Sequence, residues 1–284
     1  MKLQVFAALI LVSLATAAHA QTTPTLPSQA RTGTVVNIGK VILDAGADFR
    51  TTQQLEIANL ADQPAVVDVF ASDWTEDKTG AVVAPLEKKA PDSATAWVSI
   101  GPQRFTLAKG ERQIVTVAIA TPKSAAEMPL KEYRTMIFTA TSDVLKPEVS
   151  VPRRDLQVRA IRRIGARIFL RNPPIATKLD CEVTKMEETT QGGKRGVLIE
   201  TRNGGNVHVQ CDSSTIAFRN AAGATVATLP LPAFSILPGQ TRTVFFELPE
   251  AGKSKLEKGT KYNLLAVIDY GGTDLVAGEL ELTY

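Results

Sequence analysis

Few side chains in this sequence are equipped for chemistry. Among its 284 residues there are two histidines, His19 and His208, and two cysteines, Cys181 and Cys211. A Ser-His-Asp or Cys-His site would need His208 as its base, and no G-x-S-x-G turn accompanies it. A zinc site takes about four nitrogen or sulfur ligands at short spacings, more than these residues supply. No phosphate-cradling glycine loop opens a helix, and Asn203-Gly204-Gly205 reads as a hairpin turn. The carboxylates are scattered, and sequence alone does not pair them. The expectation is a protein that is not an enzyme, with no cofactor, metal or small-molecule substrate, and with His208 a strand residue near a turn.

The two cysteines lack the C-x-x-C spacing of redox catalysts. In an oxidising compartment they pair into a disulfide closing a loop of about 30 residues, which contributes about 3–4 kcal/mol by restricting the unfolded chain. The alternative is two reduced, buried thiols. The compartment follows from the first twenty residues. Lys2 precedes an apolar run from Val5 to Leu14, and Ala18-His19-Ala20 is a small-x-small cleavage site. The run is shorter than the ~20 residues that span a bilayer, so residues 1–20 read as a signal peptide and the remainder as exported. Loss of Lys2 lowers the net charge from +3 to +2. With no basic run interleaved with aromatics, nucleic acid is not an expected partner.

The elements that would position any site are strands. After a Thr-, Pro-, Ser- and Gln-rich lead-in at 21–32, short runs of Val, Ile, Thr and Phe recur between Gly, Pro, Asp and Asn. Predicted strands cover 35–43, 53–59, 65–72, 96–100, 113–120, 133–141 and 156–170. A second set follows at 179–187, 197–202, 207–211, 215–219, 224–229, 241–248, 261–269 and 275–283. No helix-length segment keeps a 3.6-residue period. Along Gln113–Ala120 the alternation points Val115, Val117 and Ile119 inward, and Trp74 and Trp97 are further core candidates. Asn172-Pro173-Pro174 divides the chain, because two prolines cannot continue a central strand. The expected architecture is all-β: two immunoglobulin-like β-sandwich domains, 33–171 and 172–284, joined by a short Pro-rich linker.

Several segments, in order, resemble the first domain of the PapD-like periplasmic pilus-assembly chaperones. They are Lys40-Val-Ile-Leu-Asp-Ala-Gly46, Ile57-Ala-Asn59 with Pro64-Ala-Val-Val-Asp-Val69, and Phe105-Thr-Leu-Ala-Lys-Gly110-Glu-Arg-Gln113-Ile-Val-Thr-Val117. Met128-Pro129-Leu-Lys-Glu132-Tyr-Arg134 and the run Leu156 to Pro173, ending Arg167-Ile-Phe-Leu-Arg171-Asn-Pro173, continue the series. In the second half only Val267-Ile-Asp-Tyr-Gly-Gly272 echoes the family.

The resemblance implies a periplasmic chaperone that binds pilus- or fimbrial-type subunits by donor-strand complementation. Such a subunit is a sandwich lacking one strand, and the chaperone lends an edge of its own. The lending strand would be 156–164, with Leu156, Val158 and Ala160 as the subunit-facing row. Lys40 and Arg167, with Arg163 as the alternative second cation, would hold the subunit's terminal carboxylate. The implied partners are a secreted pilus-like subunit and, optionally, an outer-membrane usher. Two other readings stand beside this one. A structural or adhesive envelope protein would use the same sandwiches with the 156–164 edge covered. An outer-membrane barrel is suggested by the alternating, aromatic-ended Glu279–Tyr284.

Overall fold

The computed structural model describes residues 34–37, 40–86, 88–143, 161–250 and 255–284. The expected signal peptide, the lead-in and Leu156, Val158 and Ala160 lie outside the described residues. The chain enters through β1 (Thr34–Asn37), β2 (Val41–Asp44), β3 (Arg50–Asn59) and β4 (Ala65–Ser72). A two-stranded hairpin follows, β5 (Thr75–Glu76) and β6 (Val82–Val83), then β7 (Val98–Gly101), β8 (Arg104–Leu107), β9 (Arg112–Ala120), β10 (Glu132–Asp143) and β11 (Arg162–Arg171). The second series is β12 (Cys181–Gln191), β13 (Lys194–Asn203), β14 (Val209–Cys211), β15 (Thr215–Arg219), β16 (Thr225–Pro230), β17 (Phe234–Ile236), β18 (Thr241–Glu247), β19 (Lys261–Ile268) and β20 (Val276–Thr283).

The first series folds into two sheets, ordered β1-β3-β9-β7 and β2-β11-β10-β4-β8. The second builds β16-β15-β19-β20 opposite β12-β13-β18, with β14-β17 as a short separate pair. The protein is thus all-β, two immunoglobulin-like sandwiches in sequence. The segment predicted as one strand over 35–43 is two strands on different sheets: β1 pairs with β3, and β2 runs parallel to β11. An edge segment can serve both sheets in this way, covering an edge on each. Sequence alternation located the first core. Val115, Val117 and Ile119 are buried, and each contributes on the order of 1.5–3 kcal/mol by leaving water. Trp74 is buried too, while Trp97 is half-buried against the same core.

Both sandwiches are closed by one device. Asn59 ends β3 and Asn203 ends β13, and neither is exposed. The Asn59 amide donates to the carbonyls of Gln63 at 2.9 Å and Leu107 at 3.1 Å. The Asn203 amide donates to Val207 at 2.9 Å and Ile236 at 3.0 Å. The backbone carbonyl of each accepts from a glycine, Gly110 or Gly239, whose φ of 76° or 71° places it in the left-handed region that favours glycine. Each sandwich also has a tyrosine at the start of a central strand whose hydroxyl accepts an upstream backbone N–H: Tyr133 from Leu130 at 2.9 Å, Tyr262 from Glu257 at 3.0 Å. These are tyrosine corners of the kind that fasten immunoglobulin-like sandwiches.

Candidate functional site

Along β11 successive side chains alternate between faces. Ala166, Ile168 and Leu170 enter the first core, which leaves Arg163, Gly165, Arg167, Phe169 and Arg171 on the other face. Phe169 is buried there with Trp74, Met136, Phe138 and Leu237, a small cluster that draws on both sandwiches. Its ring stacks on His208 at 3.9 Å and meets Trp74 edge-on at 5.9 Å.

Charges are arranged around these rings. The Arg167 guanidinium lies over the Trp74 ring at 5.0 Å and pairs with Glu76 at 3.0 Å. Arg134 approaches the same indole at 5.6 Å and is paired with Asp92. Burial lowers the Arg134 pKa to about 10, with Glu76 and Asp73 opposing. The Lys40 ammonium sits 5.7 Å from the Phe169 centroid and 3.5 Å from Gln210 Oε1 of the second sandwich. Its pKa is lowered mainly by burial, with Glu132 opposing and the Arg171 and Arg167 charges adding to the lowering. Among the described residues Lys40 forms no ion pair.

Glu132, at the head of β10, joins the sandwiches. Its carboxylate accepts the His208 backbone N–H at 2.9 Å, contacts His208 Nδ1 at 2.8 Å and accepts from Arg171 Nε at 3.4 Å. The β5–β6 hairpin adds a second attachment. Gln240 donates to the Thr75 hydroxyl at 2.7 Å, and the Thr243 N–H donates to the Lys78 carbonyl at 2.7 Å. Asn172, after β11, is buried and tied to Met128 and Lys131. The segment at the two prolines is therefore anchored at its start by more than proline stiffness.

Of the cations expected at the site, Lys40 and Arg167 are brought together, each within electrostatic reach of the other. Arg163 is exposed and lies four residues further along β11, roughly 13 Å at ~3.3 Å per residue. Residues 162–167 pair with β10, β2 covers only 168–171, and among the described residues no strand pairs with the remaining edge. Ile161 is exposed at its start. Sequence reasoning missed Glu76 as a partner of Arg167 and assigned neither Glu132 nor Gln210 to the site. An acid two residues after a buried Trp carries no distinguishing pattern.

Cys181 and Cys211 are both buried free thiols in the second sandwich. Burial pushes their pKa values up, to about 11 for Cys181 and about 12 for Cys211, and Cys181 adds to the shift at Cys211. Among the described residues no cluster of His, Cys, Asp and Glu could hold a metal.

The fold and the site define a two-sandwich β protein with two cations, Lys40 and Arg167, beside a strand edge that no described strand covers. No protein-family model matches the chain, and no curated protein matches it in sequence. Among solved structures it is similar to the YadV chaperone, at 13% identity over 88% of this chain and 100% of that one, with a TM-score of 0.43. It is also similar to the Escherichia coli chaperone DraB, at 16% identity over 88% of this chain and 98% of that one, TM-score 0.41. A third similar structure is the CsuC–CsuE chaperone–tip adhesion subunit complex of Acinetobacter baumannii Csu pili, at 11% identity over 87% of this chain and 98% of that one, TM-score 0.42.

Proposed function

We propose that this protein is an exported, periplasmic chaperone that binds a β-sandwich subunit lacking one strand and shields it from aggregation. The open edge of β11 supplies main-chain hydrogen bonds to the subunit, and Lys40 and Arg167 hold its terminal carboxylate. The observation that carries the reading is the conjunction of these two features on one strand. The free edge of 162–167 leads directly to Arg167, and Arg167 neighbours a Lys40 that has no ion pair among the described residues. A carboxylate docking at this edge needs cationic donors, and Arg offers a planar fork of N–H groups that matches it. The row Leu156, Val158 and Ala160 would extend the edge and fill subunit pockets. The division into domains at 172, the signal peptide at 1–20 and a Cys181–Cys211 bridge belong to the same proposal, since an exported chaperone passes through an oxidising compartment.

The test is co-expression with the candidate pilus-type subunits and capture from periplasm. Lys40→Ala and Arg167→Ala should leave the melting curve near wild type and abolish subunit capture. Capture at the wild-type level by both variants would overturn the assignment.

A further inference from the structure

Arg167 already holds a carboxylate that belongs to the protein. Glu76 Oε1 stands 3.0 Å from its Nη2, and the Glu76 side chain is 5% exposed against 30% for Arg167. Trp74 lies against the guanidinium, with the ring centroid 5.0 Å away. A ligand carboxylate bonds in the plane of the fork. A terminal carboxylate that takes Arg167 therefore arrives beside Glu76, in a site partly removed from water, and the two negative charges repel.

Glu76 is held where it is. It stands on β5 between two attachments to the second sandwich, the Gln240–Thr75 and Thr243–Lys78 hydrogen bonds, and pairs in register with Val82. Burial raises its pKa, and the groups that oppose the shift are Arg167 first, then Arg242 on β18, Arg134 on β10 and His208. Arg134 is paired with Asp92, and His208 is bonded to Glu132. Arg167 is the cation in direct contact with Glu76. When a second carboxylate shares that cation, the like charge makes one of the two hold a proton more tightly. A chain-terminal carboxyl is the stronger acid, ordinarily at about 3.3–3.7, so the proton goes to Glu76.

We infer that Glu76 takes up a proton from solvent when the chain-terminal carboxylate of a partner strand joins it on Arg167, so that capture at this site is proton-coupled. The inference rests on the carboxylate-anchoring reading above. An ion pair within the protein is exchanged for one with the partner, and the neutral Glu76 gains an O–H donor. Linkage fixes the sign. The complex holds more protons than its separate parts between the Glu76 pKa of the free protein and its higher value in the complex. Affinity therefore rises as pH falls through that window. A like charge worth about one pH unit at Glu76 gives about a tenfold change.

The experiment uses the full chain and a Val/Thr-alternating peptide, ending in a free carboxylate or an amide, in calorimetry with two buffers of different ionisation enthalpy. From about pH 5 to about pH 8 the terminal carboxyl stays ionised. Over that range wild type should lose about tenfold in affinity for the carboxylate peptide and take up protons on binding it, with neither effect for the amide. Glu76→Gln should keep, at every pH, the affinity that wild type reaches at the acid end, with no proton uptake. A slope that persists in Glu76→Gln overturns the inference, because Lys40 or His208 would then be the titrating group. Carboxylate binding by wild type without proton uptake overturns it too, as does a Glu76→Gln protein that binds more weakly than wild type throughout. A second measurement needs neither variant nor strand. The Glu76 carboxyl carbon resonance of wild type is followed against pH with trifluoroacetate, a carboxylate ionised over the whole range. Trifluoroacetate should move the Glu76 midpoint upward, and an unmoved midpoint overturns the inference. An upward midpoint with no peptide bound upholds the coupling and defeats the capture reading. An unmoved midpoint with the carboxylate peptide preferred over the amide does the reverse.

Discussion

Replacing Glu132 should loosen the junction of the two sandwiches more than any exposed ion pair would. The Glu132 side chain is 2% exposed and that of His208 3%, so neither is rescued by water. Glu132→Ala removes the acceptor of the His208 backbone N–H and the partner of its Nδ1. Each buried group left without a partner costs about 1–3 kcal/mol. The third partner, Arg171, has a side chain 30% exposed and rehydrates, so its loss adds under about 1 kcal/mol. The sum is about 3–5 kcal/mol. Glu132→Gln keeps one acceptor oxygen and should lose only about 1–2 kcal/mol. Urea unfolding followed by tryptophan fluorescence reads the effect. Trp74 packs on Phe169, which stacks on His208, so the indole reports on the junction. At a slope of about 2 kcal/mol/M, Glu132→Ala should lower the first midpoint by about 2 M. A midpoint within about 0.3 M of wild type would refute the reasoning, because the junction would then be held by the apolar cluster alone.

Further expectations concern pH, the thiols and the asparagine clasps. Burial raises the Glu76 pKa, Arg167 opposes the shift, and the folded protein holds that proton more tightly than the unfolded chain does. The associated stability is full below the ordinary carboxylate range and lost as pH rises through the folded value. Glu76→Gln should flatten that slope and leave stability at pH 7 no lower than wild type. A melting temperature below wild type at every pH from 4 to 8 would count against this. For the cysteines, protein from an oxidising compartment should resist alkylation in urea until reductant is added. Labelling in urea alone would show two thiols rather than a bridge. Asn203→Ala strands the carbonyls of Val207 and Ile236 and should cost about 2–4 kcal/mol in urea unfolding. A loss under about 1 kcal/mol would mean that the glycine turn, not the side chain, closes the sandwich.

Local chemistry made much of the fold legible in the sequence. Period-2 alternation marked the inward row of β9, and the runs Ala65–Ser72 and Thr215–Arg219 appear as strands with the predicted bounds. Such features depend only on neighbours along the chain. The break after Asn37 that sends β1 and β2 to different sheets did not show, because both halves read as apolar strand and which sheet each joins is set by what lies opposite. Short β17 was missed for a similar reason: three residues carry too little pattern until β14 lies beside them.

The site divides in the same way. The sequence alone placed Arg167 on a strand and singled out Lys40, which the structure puts just ahead of β2 rather than within a strand. Only the tertiary structure decided what those cations meet. Glu76 is 91 positions from Arg167, and Gln210 is 170 from Lys40. Charge partnership across such separations arises from the packing of a hairpin and a second sandwich onto one face of β11. Burial then sets its strength, and burial belongs to the assembled fold rather than to any segment of the chain.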